Sequence, residues 1–151
     1  MSGMSPIVKS MTRIVSSFIL LYGVSIVLYG HVTPGGGFAG GVIIASAFIL
    51  IVLAFGVEYT TKFVARGSVT QWDFGGALGL ILIALLGYLG GPFFWNFLRP
   101  PGATFPLFRI YSAGSVVFSN AAIGIKVGMG LFGVFLALSI FRRKGRDGDD
   151  T

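Results

Sequence analysis

Lys126 is the one basic side chain inside a long apolar run of this 151-residue sequence. Counted from Asn120, it lies ~9 Å into a helix at about 1.5 Å per residue. A charge at that depth of a bilayer costs at least ~2.5 kcal/mol unless it finds water, a partner or the headgroups. Two roles stand open: a proton or cation relay facing a hydrated interior, or a lysine snorkelling outward along its own apolar stem. His31 is the single histidine, a residue type suited to proton handling near neutral pH, and sits beside a run of glycines. Glu58 and Asp73 are the two acids outside the C-terminal tail. Glu58 can pair with Lys62 at i, i+4 if the preceding helix continues. Asp73 suits an N-cap, its oxygen accepting from amides that lack partners. These four, Lys126, His31, Glu58 and Asp73, are the relay candidates. Neither acid is expected at mid-membrane, so a complete transport path would need carboxylates from other chains.

Other chemistry is excluded by what is missing. With no cysteine and one histidine, no Cys/His zinc site and no thiolate-held iron–sulfur cluster can form, so neither metal nor cofactor is expected. No nucleophile and base stand together. The run Gly35-Gly36-Gly37 fails as a phosphate loop because no lysine follows it at the required spacing. The net charge of +6 comes mostly from Lys and Arg flanking apolar runs, which is a topology signal and not a nucleic-acid surface.

The elements that must position these residues are transmembrane helices. The chain is 54% hydrophobic and 11% charged, with a mean hydropathy of +0.88, against about 25% charged in soluble domains. An all-α integral membrane fold is expected, with four spans at about 7–30, 38–57, 74–91 and 120–141. The first is a span and not a cleaved leader, being too long and lacking an A-x-A pattern after it. Residues 1–141 form a single bundle and 142–151 a basic, then acidic, tail. Lys9, Arg13, Lys62, Arg66, Arg142, Arg143, Lys144 and Arg146 fall on the side holding both termini, and Arg99 and Arg109 on the other. That asymmetry makes both termini cytoplasmic.

Glycines set how these helices pack. Gly37, Gly41 and Ala45 share one stripe at i, i+4, i+8; Gly75, Gly79, Gly87 and Gly91 share another. Gly124, Gly128 and Gly130 surround Lys126. Small residues let backbones approach where lipid weakens the apolar attraction between helices. Residues 92–119 carry four prolines and eight aromatics, a composition for a loop at headgroup level or against a partner subunit. Asn, Gln and Cys together number three, which leans toward a heat-adapted source.

Two motifs carry a resemblance. Gly30-His31-x-Thr33-Pro34-Gly35-Gly36-Gly37-Phe38-x-Gly40-Gly41 resembles the G-H-x-[ST]-P-G-G-G-F-x-G-G signature of the MnhB/MrpB-type family, a small component of multisubunit Mrp cation/proton antiporters. Asn120-x-x-Ile123-Gly124-Ile125-Lys126-Val127-Gly128-x-Gly130 is similar to a second stretch of that family. The resemblance implies a subunit without catalysis of its own, in a cell-membrane complex exchanging Na+ for H+. Its partners would be other membrane subunits and lipid. Similar subunits occur in archaeal membrane-bound hydrogenase and sulfur-reducing complexes. Ala39 departs from the family, where Gln is frequent. The alternatives are a purely architectural membrane subunit or a stand-alone small membrane enzyme or binding protein.

Overall fold

The computed structural model describes residues 4–32, 34–63, 66–98, 102 and 110–147. Five α-helices account for most of them: α1 (Pro6–Tyr29), α2 (Gly36–Phe55), α3 (Val57–Phe63), α4 (Arg66–Leu86) and α5 (Ser115–Asp147), with no strand among the described residues. Four of the helices are long and apolar enough to cross a membrane, over Pro6–Tyr29, Gly36–Phe55, Gly67–Leu89 and Ser115–Arg142.

α1 opens on Pro6 in its first turn, where a missing amide proton costs nothing. After Tyr29 the chain reverses within a few residues. Val32 N–H donates to Tyr29 O at 2.9 Å. Gly35 and Gly36 take φ of 139° and 66°, conformations open to glycine and strained for other residues. The glycines then enter the next helix: α2 starts at Gly36, not at Phe38 as hydropathy implied. It stops at Gly56 (φ 92°), whose N–H donates to Val52 O at 2.8 Å. The short α3 follows, so Glu58 opens a new helix and does not extend the old one. The side chain of Lys62, its expected partner, lies outside the described residues.

Two boundaries differ by more. α4 begins at Arg66, eight residues before the expected start at Phe74. Its first two turns are polar (Ser68, Thr70, Gln71, Asp73), which gives a helical segment the composition of a connector. The helix satisfies its own backbone through these polar turns, as a segment entering lipid must. α5 begins at Ser115, not Asn120, and continues to Asp147, past the expected end at Phe141. Its cap comes from the preceding loop. Asn96 Oδ1 accepts from Ser115 N–H (2.9 Å) and Ser115 Oγ (3.0 Å), while Asn96 Nδ2 donates to Ala113 O (2.8 Å). Replacing Asn96 with Ala should therefore cost about 1–2 kcal/mol, as the loss of an N-cap does. A fall in the melting temperature of the detergent-solubilised chain would register it.

The long helices follow one another in space as α1, α2, α5 and α4, with α1 also touching α5 where Val27 meets Gly124. α2 holds α1 on one flank and α5 on the other, and α5 in turn holds α4. α1 and α2 cross at Gly23 and Gly40: a Cβ on Gly23 would come within 3.2 Å of Gly40 O. α2 and α5 cross where Gly41 meets Gly124 O and Gly128. At the end carrying the termini, Phe132 (0% exposed) joins Val52 of α2, Val69 of α4 and Leu136 of α5 in one cluster. Phe48 packs on Phe132 with ring centroids 5.3 Å apart.

Candidate functional site: an ion pair within the helix layer

α4 and α5 bring two of the four relay candidates together. Lys126 Nζ donates to Asp73 Oδ1 at 2.7 Å. The fit depends on small residues at the crossing. Gly76 lies against the backbone of Ala122 and Lys126, so a Cβ there would stand 2.7 Å from Lys126 N. Gly130 faces the carboxylate, and a Cβ on it would sit 3.2 Å from Asp73 Oδ1. Val69, Asp73 and Gly76 follow at i, i+4 and i+7, one face of α4.

The depth of this pair corrects the sequence reading. Because α5 starts at Ser115, Lys126 stands ~16 Å along the helix from that end and ~24 Å from Arg142, at about 1.5 Å per residue. Gly130, at the level of Asp73, is ~22 Å and ~18 Å from the same two residues. Along α4, Asp73 is ~10 Å from Arg66 and ~20 Å from Leu86 at the same rise, so the pair lies inside both helices but toward the end of α4 that is nearer the termini. Asp73 is no N-cap: it sits in the second turn of α4 with its carboxylate turned to α5. Asp73 thus lies inside a helix long and apolar enough to cross a membrane, and not at its cap, paired with a lysine of the helix it crosses. The Lys126 ammonium is turned to this carboxylate across the helix crossing. The side chain of Lys126 is 46% exposed on this chain and that of Asp73 24%. Chemically, the pair offers a carboxylate able to take a proton or a monovalent cation whenever the ammonium moves off it.

The other candidates lie elsewhere. Glu58 is exposed in the first turn of α3, at the end of the layer that carries the termini. His31 lies in the α1–α2 turn at the opposite end. Its Nε2 is 3.0 Å from Ser112 Oγ, across 81 residues of sequence, and its buried Nδ1 has no hydrogen-bond partner among the described residues. It ties the turn to the 3-10 segment Ile110–Ala113 ahead of α5. Thr33 of the signature turn lies outside the described residues, as do 99–101 and 103–109 of the aromatic loop.

The two sequence motifs meet in space. Gly37 and Gly41 of the first press on Asn120, Gly124 and Gly128 of the second. A Cβ on Gly30 would come within 3.0 Å of the Asn120 amide nitrogen. On α4 the packing stripe is displaced by one residue: Gly76 meets α5, while Gly75 has nothing within 4 Å and Gly79 makes ordinary contact with Ala122. Gly87 and Gly91 pack on Phe94 and Trp95 of the loop, not on a helix.

Comparison with known proteins accords with this geometry. Residues 7–133 match the family described as "Domain related to MnhB subunit of Na+/H+ antiporter". The chain is 40% identical over 134 residues to an uncharacterized protein of Methanocaldococcus jannaschii, covering 84% of this chain and 49% of that one. It is 30% identical over 145 residues to the B-type component of the Na(+)/H(+) antiporter of Bacillus subtilis, covering 93% of each. Among solved structures it is similar to a chain of the membrane-bound sulfane sulfur reductase, an archaeal respiratory membrane complex, with a TM-score of 0.72 and 31% identity. That match covers 87% of this chain and 56% of the other, so this chain spans about half the length of its methanogen relative and of the reductase chain.

Proposed function

The chain belongs to the MnhB family of antiporter subunits, and on that premise we propose that it works as a subunit of a multisubunit cation/proton antiporter module in the cell membrane. In this reading it has no catalytic activity of its own. It packs against neighbouring membrane subunits, with both termini cytoplasmic, and contributes to the movement of Na+ and H+. The respiratory setting of the reductase chain it resembles supports placing the module in a redox-coupled complex. One observation carries the ion-handling part: the Asp73–Lys126 pair joins two helices long and apolar enough to cross a membrane, where ionisable groups are costly and mark ion or proton pathways. A purely architectural role is the second reading, favoured by the glycine crossings that consume both sequence motifs.

The test is deletion of this chain from the parent assembly. Purified in mild detergent, the chain should travel with several other membrane subunits. Vesicles lacking it should lose sodium-dependent pH change. A monomer that purifies alone, or exchange that persists without the chain, would overturn the proposal.

A further inference from the structure

Lys126 has three N–H donors, and among the described residues its one hydrogen bond goes to Asp73. Its side chain is nonetheless half exposed, on a helix long and apolar enough to cross a membrane. Hydrocarbon has no acceptor for the remaining donors. A groove nearby does not reach them. The groove between α4 and α5, about 250 Å³ in volume, is lined by Val69, Thr70, Gly133, Leu136, Ala137 and Phe141. It is mostly apolar and stops short of the pair, and an ordered water needs several polar partners. A second copy of this chain would bring only an Asp73 already held by its own lysine.

We propose that the face of α4 and α5 around Lys126 seats a transmembrane helix of a different chain, and that this helix presents a carboxyl side chain to the Lys126 ammonium. The inference rests on the subunit reading above and names the surface and the chemistry of the neighbour. A carboxyl group fits for two reasons. Backbone carbonyls within a helix are already engaged, whereas a side-chain carboxyl is free to accept. An ammonium between two carboxyl groups, one ionised and one protonated, also keeps the cluster neutral overall. The same arrangement lets Lys126 change partners by a small rotation of its stem, which couples the charge on this chain to that on its neighbour.

The chain has no cysteine, so single thiols can be placed in the assembled complex without background from this chain. Ile123→Cys, one turn before Lys126, leaves the ammonium in place; Lys126→Cys puts the probe at the site itself. Each thiol carries benzophenone maleimide, and the irradiated complex is mapped by peptide mass spectrometry. Both positions should cross-link to one transmembrane segment of another subunit, with Asp or Glu within one helical turn of the attachment point. Replacing that acid by its amide should lower co-purification of the two chains at least fivefold, while Lys126→Arg retains it. Adducts with lipid alone, with a second copy, or with a segment lacking an acid would overturn the inference. So would rapid capture of the thiols by a membrane-impermeant maleimide, because the face would then be wet and uncovered. If the chain co-purifies with no membrane subunit at all, the subunit proposal fails instead.

Discussion

Replacing Lys126 with Met is expected to abolish sodium-dependent pH change in vesicles carrying the assembled complex, while leaving the complex able to form in reduced yield. The substitution strands the Asp73 carboxylate within α4 without the lysine that pairs with it. Breaking a fully buried pair costs about 3–5 kcal/mol. Lys126 is 46% exposed on this chain, so a discounted loss of about 2 kcal/mol is appropriate, because exposed pairs contribute far less. Asp73→Asn strands the lysine and should cost a similar amount. The double variant Lys126→Met with Asp73→Asn removes both charges, and assembly should recover by about 1–2 kcal/mol relative to the sum of the singles. Exchange should not recover. That split between restored assembly and absent transport separates a relay from a spacer. Unchanged exchange in the fully assembled Lys126→Met complex would leave only the architectural role.

Gly37→Val should unfold the contact between α2 and α5, with a loss at or above the ~3 kcal/mol upper range for overpacking. A Cβ at Gly37 would overlap the Asn120 carbonyl oxygen and stand 3.0 Å from Asn120 Cα, and backbone cannot step aside as a flexible side chain can. The paired control is Gly75→Val, where nothing lies within 4 Å. There the isolated chain should be unharmed or slightly stabilised, by up to about 1 kcal/mol, since glycine in a helix interior is entropically costly. Thermal unfolding of the two purified variants in detergent would read the contrast. Equal melting temperatures would mean that the crossing of α2 and α5 is not as described.

Four spans could be read from hydropathy because lipid leaves a helix few other ways to satisfy its backbone. Where α4 begins could not be read that way. The polar residues ahead of Phe74 resemble a connector, yet the spacing of Val69, Asp73 and Gly76 already describes one helical face. Carrying that period backward would have moved Asp73 from a cap to the interior of the span. Its pairing with Lys126 was out of reach, because it joins positions 53 residues apart and local patterning is silent about such contacts. Asn96 capping α5 from 19 residues away, and His31 reaching Ser112, belong to the same class. The glycine motifs were legible as close-packing surfaces, but not which of two adjacent glycines faces the neighbour. On α2 the chain uses both: Gly40 turns to α1 and Gly41 to α5.

The spatial order of α1, α2, α5 and α4 has a geometric consequence. Neighbouring long helices press on one another through glycine crossings, and α1 also touches α5 where Val27 meets Gly124, so the contacts between them are filled by their own backbones and side chains. On the function proposed above, passage along Lys126 would need a seam whose opposite wall is another polypeptide, and a lone copy in a bilayer should therefore be ion-tight.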